Sequence, residues 1–210
     1  MIYSENILLC IMIPLVISLF FLRGSARRFT QSFICGMLAC LLSAYISGYV
    51  GLVAEATPTD TAIYFSPVIE ETMKLLPIVF YIIMYEPDEE EVLLCAVALG
   101  AGYATFENCC YLLGAGSESL RFTLIRGLSV GVMHVASMIA VSLGVFLARR
   151  NDTPPLAGTL GSLSLSSTIH ALYNLLVSEP GFTSYFGFAL PIVMTAIFYI
   201  PYRRIVRAKK

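Results

Sequence analysis

Residues Ser66–Pro77 read SPVIEETMKLLP. Glu70, Glu71 and Lys74 sit inside an apolar run from Tyr64 to Tyr85, long enough to cross a bilayer, and they lie far from either end of it. A charged side chain near the centre of a membrane helix costs about 2.5–3.5 kcal/mol on insertion scales. Three charges within five residues therefore need partners, water or a function, and the rest of the chain is read for what meets them.

Composition sets the class. The chain is 58% hydrophobic and 13% charged, against about 45–50% and about 25% in a soluble domain. Mean hydropathy is +0.81. This describes an integral membrane protein with little outside the bilayer, and a net charge of −1 argues against a nucleic-acid partner. Cys10, Cys35, Cys40, Cys95, Cys109 and Cys110 all fall in apolar runs without zinc-knuckle spacing and read as small hydrophobes.

Seven apolar runs predict an all-α, polytopic bundle of about seven transmembrane helices in one domain over residues 1–210. They are Glu5–Leu22, Ser32–Val53, Tyr64–Tyr85, Val92–Gly114, Gly127–Ala148, Leu156–Val177 and Ser184–Pro201. The first lacks a preceding basic residue and a cleavage site, and reads as a retained helix. In the third, Ser66 and Pro67 have the chemistry of an N-cap and a first helical position, which puts both glutamates near a helix start. The acidic stretch Glu86–Glu91 reads as a solvated turn. Small residues, Ala98 to Ala104 in the fourth run and Gly127 with Gly131 in the fifth, predict close helix contacts.

Lysine and arginine mark the cytoplasmic side. With the N-terminus outside and the C-terminus inside, Arg23, Arg27, Arg28, Arg149, Arg150, Arg203, Arg204, Arg207, Lys209 and Lys210 are all cytoplasmic, and only Arg121 and Arg126 are outside. At about 1.5 Å per residue, Glu70, Glu107, His134 and His170 each lie about 9–12 Å from the outer end of their run. Four helices thus bring ionisable groups to one depth in the outer half.

Those groups make a chemistry. Glu70 and Glu71 point about 100° apart, so one can face a cavity while the other pairs with Lys74. Helix geometry does not say which. Glu107 is flanked one turn away by Tyr103 and Tyr111, and His170 and Asn174 share a face. The set holds a general base, proton carriers and oxyanion donors, and no serine or cysteine nucleophile is paired with a histidine. Water is the implied nucleophile. Glutamate with two histidines is also a zinc donor set, although the HExxH helix is missing. A proton-coupled transporter or a non-catalytic protein that binds membrane helices would use the same residue types.

EETMK (Glu70, Glu71, Lys74), FENCCY (Glu107, Tyr111), the lone His134 and HALYN (His170, Asn174), in that order over residues 66–176, resemble the PrsW family. That family is itself similar to the type II CAAX prenyl endopeptidase and CPBP group. The resemblance implies an intramembrane endopeptidase of the bacterial cytoplasmic membrane. It would make the site-1 cut in a single-span substrate, such as an anti-sigma factor, near its extracytoplasmic side in a stress response. It implies Glu70 as the base that activates water with His134, His170 and Asn174 at the oxyanion, Glu71 orienting the site, Lys74 as its partner and Tyr111 in support. Glu107 is implied as a further site carboxylate. No metal is assigned, zinc being the alternative with Glu70, Glu107, His134 and His170 as ligands. Lys74 stands where the CAAX enzymes carry arginine, and nothing suggests a lipid-modified substrate.

Overall fold

The structure, a computed structural model, describes residues 4–115, 120–150, 154–178 and 181–207. Seven long helices follow one another among the described residues: α1 (Ser4–Ser18), α2 (Gly24–Val53), α3 (Ser66–Tyr85), α4 (Glu89–Ala115), α5 (Leu120–Arg150), α6 (Pro155–Val177) and α7 (Phe182–Arg207). The all-helical bundle expected from the apolar runs is therefore present. Lys209, Lys210 and parts of three connections (residues 116–119, 151–153 and 179–180) lie outside the described residues.

Among the described residues, four helices are both long and apolar enough to cross a membrane: Gly24–Val53, Glu89–Leu113, Thr123–Ala148 and Phe182–Ile205. The 15-residue α1 is shorter than the about 20 residues a crossing needs. α3 carries its three ionisable residues, and α6 is diluted by Ser162, Ser164, Ser166, Ser167 and His170. Most of these polar residues turn inward: Glu71, Lys74, Ser162, Ser166, Ser167 and His170 are buried, and Ser164 is exposed. Glu71, Lys74 and His134 are 0% exposed, whereas Phe20 is 84% and Leu52 77% exposed. Apolar outside and charged inside is the pattern of a protein whose solvent is lipid. It is a multi-pass membrane protein.

Glycines set the spacing of the central helices. A Cβ on Gly36 of α2 would collide with the Leu99 carbonyl oxygen, and one on Gly102 of α4 with the Phe33 carbonyl oxygen. The two backbones touch, as the small residues of the fourth run predict. Gly100 likewise seats α4 on α5, its Cβ position 2.7 Å from the His134 carbonyl oxygen. Gly127 and Gly131 behave otherwise. Nothing lies within 4 Å of their Cβ positions, and both line a groove of about 440 Å³ with Ala104, Asn108, Val135 and Phe198. The small-xxx-small spacing in α5 opens a groove here and makes no helix contact.

Ser66 is not the start of its helix. Helical backbone begins at Pro58, where Thr57 Oγ1 accepts from the Asp60 N–H at 3.1 Å, and passes through one π turn, Thr61–Phe65, into α3. The glutamates are therefore deep in a continuous helical segment and not in its first turn. At the opposite end of α3, Asp88 Oδ1 accepts from the Glu91 N–H at 2.9 Å and Glu91 pairs with Arg28 at 2.7 Å, so the acidic turn ties α4 to α2. All six cysteines are free; Cys40 and Cys95 are buried and Cys10 is exposed.

Candidate active site

α3 projects Glu70, Glu71 and Lys74 into the bundle; α4 brings Tyr103 and Glu107, α5 His134 and Ser137, and α6 His170. The structure divides the two glutamates. Glu71 turns inward, where Lys74 Nζ lies 2.6 Å from its Oε1 and neither side chain has any exposure. Glu70 keeps 17% of its side chain exposed, and Oε2 of each glutamate has no hydrogen-bond partner. An ion pair sealed from water holds only with good geometry and further hydrogen bonds. Lys74 has them: Nζ also reaches His134 Nδ1 at 2.9 Å and donates to Ser137 Oγ at 3.2 Å. The ring of Tyr103 lies beneath, 5.0 Å from Nζ to its centroid.

The histidines sit edge to face, ring centroids 5.3 Å apart. His170 Nδ1 is 2.9 Å from Glu71 Oε1, and its Nε2 faces Glu70 Oε2 at 3.7 Å. A carboxylate on one nitrogen fixes the tautomer and aims the other nitrogen. Glu71 thus orients His170 toward Glu70. His134 is held on both sides, Nδ1 by Lys74 and Nε2 by Glu107 Oε2 at 2.5 Å. An ammonium donates, so Nδ1 accepts and Nε2 carries the proton that goes to Glu107.

The residues singled out in the sequence come together, with one difference. Glu70, Glu71, Lys74, Glu107, His134 and His170 form one connected cluster. Asn174 Nδ2 instead donates to the Ala62 carbonyl at 2.8 Å, in the π turn ahead of α3. Tyr111 takes part through a neighbour: the Arg126 guanidinium lies 3.4 Å over its ring and donates to Glu107 Oε1 at 3.2 Å. Arg126 is the residue that sequence reasoning left in an outer loop. Its signal was its place two turns before His134 on the same helix, within reach of whatever His134 meets.

Glu70, His134 and His170 each offer a ligand atom, all within 4.8 Å of one another. Two imidazoles and a carboxylate are the donor set of a catalytic zinc site. Over residues 25–200 the sequence matches the model of the family described as PrsW family intramembrane metalloprotease. The chain belongs to the PrsW family. Comparison with curated proteins and with solved structures found no match. As a PrsW protein the chain is an intramembrane peptidase, and the cluster is where its carboxylates and imidazoles meet.

The metal that the family description implies fits some of these residues better than others. His170 has the acceptor behind it that a metal-ligating imidazole needs, and Glu70 Oε2 is unpartnered. His134 has the opposite, a lysine ammonium at Nδ1 and a proton at Nε2. By donor type and spacing the three residues fit a cation; by its partners His134 does not.

Proposed function

We propose that this PrsW protein hydrolyses a peptide bond in a single-span membrane protein near its extracytoplasmic side, with Glu70 taking the proton from the attacking water. The observation that carries this reading is the Glu70 carboxylate: inside the bilayer, its side chain 17% exposed where that of Glu71 is 0%, with Oε2 facing His170 Nε2 at 3.7 Å. A general base must reach its proton directly or through one water; Oε2 is buried and the 3.7 Å gap is too short for a water between the two side chains, so they part slightly to admit it. His170, held by Glu71, passes the proton towards the departing amine. His134, polarised by Lys74, stands beside it. Family membership supports an anti-sigma factor as the substrate class and the bacterial cytoplasmic membrane as the location, and the charge bias of the loops supports a cut near the extracytoplasmic side. Residues 1–210 act as one catalytic domain.

A second reading places a divalent cation at Glu70, His134 and His170, favoured by their spacing and by the family's description. It would supply Lewis-acid polarisation of the scissile carbonyl.

The test is cleavage of a co-expressed single-span reporter. Glu70→Gln is isosteric and breaks no hydrogen bond at Oε2, so it should fold normally and lose about 10²–10⁴-fold in rate. His170→Ala should lose activity similarly. Unimpaired cleavage by both variants removes the proposal.

A further inference from the structure

Backbone bookkeeping in the π turn leaves one group without a partner. The Ser66 N–H donates to the Thr61 carbonyl, five residues back. In an α-helical ladder that N–H would serve Ala62; in the π ladder Ala62 would be served by residue 67. Residue 67 is Pro67, which has no N–H. The Ala62 carbonyl is therefore left without a backbone donor by its own chain, and a backbone acceptor takes a partner wherever one is in reach. Its donor comes from α6: Asn174 Nδ2, 2.8 Å away.

Asn174 lies one turn beyond His170. The same helix thus presents the imidazole that meets Glu71 and the amide that clamps the segment ahead of Glu70 and Glu71. From the other side α2 closes on this turn, since a Cβ on Gly51 would lie 2.5 Å from Thr61 Oγ1. One residue corresponds to about 100° of helix rotation. A π turn that relaxed to α geometry would rotate the two glutamates by that amount relative to the lead-in, bringing Glu70 to the face Glu71 now holds and carrying Glu71 past it.

We propose that Asn174 is a positioning residue: its amide replaces the backbone N–H that Pro67 lacks, holds the π turn, and so sets which glutamate meets His170 Nδ1 and which faces its Nε2. The catalytic part rests on the hydrolytic reading above; the hydrogen-bond substitution does not.

A double-mutant cycle on the full chain in detergent tests it, using Asn174→Ala, Pro67→Ala and the pair, read by unfolding midpoint and by kinetics on the single-span reporter. Asn174→Ala should lower the midpoint and reduce kcat about tenfold with KM within about twofold, the pattern of a lost transition-state arrangement. Pro67→Ala alone should stay near wild type. The pair should recover midpoint and kcat together, because the substituted alanine supplies the missing backbone N–H to the Ala62 carbonyl; such recovery is a coupling between sites that do not otherwise share a partner. Additive losses overturn the proposal. Recovery of the midpoint without kcat also overturns it, and assigns the Asn174 amide to the reacting atoms. If Asn174→Ala does not fold, Asn174→Asp, isosteric but without the donor, takes its place in the cycle. Absence of cleavage by the wild type counts against the hydrolytic reading alone, and the unfolding cycle still decides the hydrogen bond.

Discussion

Lys74 Nζ lies 2.9 Å from His134 Nδ1, and neither residue has any exposure. The same ammonium is 2.6 Å from Glu71 Oε1. One lysine therefore neutralises the inner glutamate, selects the tautomer of one histidine and, through Glu71, helps aim the other. The chemistry of the cluster turns on a residue that touches no substrate in the proposed reaction.

Removing that lysine should be structurally severe. Lys74→Met leaves Glu71 a buried carboxylate with His170 beside it but without its counter-ion, a change that costs about 3–5 kcal/mol in comparable buried pairs. Lys74→Met combined with Glu71→Gln should recover much of the loss, because no charge is then left behind. Unfolding in detergent checks both variants; equal losses in the single and the double variant would show that the pair is not coupled.

Metal dependence follows from the partners of the two histidines. Because Lys74 holds His134 Nδ1 as an acceptor and Nε2 bears the proton, cleavage is expected to continue in strong chelator. Elemental analysis of the purified protein is the companion measurement. Loss of activity restored by zinc, with about one equivalent bound and lost on His170→Ala, would assign the cation to Glu70, His134 and His170.

Arg126 should matter although it is remote from Glu70. Its guanidinium lies over Tyr111 and donates to Glu107, which in turn holds His134. Arg126→Gln should leave the fold intact and lower kcat by about tenfold, and Arg126→Lys should not restore it, since an ammonium lacks the planar fork that stacks and donates at once. Full activity in the lysine variant would reduce the role of Arg126 to charge alone.

The glycines divide into two groups with opposite tolerance. Gly102→Ala drives a methyl into the Phe33 backbone, which cannot swing aside as a side chain could, and should cost at least the about 1–3 kcal/mol typical of overpacking. Gly131→Ala meets nothing within 4 Å and should be neutral or slightly stabilising. Unfolding midpoints of the two variants, compared side by side, check the prediction.

The helix count, the membrane class and the convergence of Glu70, Glu71, Lys74, Glu107, His134 and His170 were legible in the chain, because each rests on a local property. Twenty-residue apolar runs must be helices in lipid, and charges inside them must find one another. The close contacts at Gly100, against α5, and at Gly102, against α2, were legible as a run of small residues that lets backbones approach on both sides of the helix. Gly127 and Gly131 show the limit of that argument: the same spacing lines a groove, because whether a partner helix arrives depends on the rest of the bundle.

What SPVIEETMKLLP determines by itself is that two carboxylates and a lysine lie about 100° and one turn apart in a membrane helix. Only the tertiary structure separates Glu71, sealed against Lys74, from Glu70, whose side chain stays partly exposed and faces His170 Nε2. The reason is rotational. Helix periodicity sets the angle between side chains, but the angle of the helix against its neighbours is set by a π turn, by Pro67's missing N–H and by an asparagine 112 residues away from the carbonyl it satisfies.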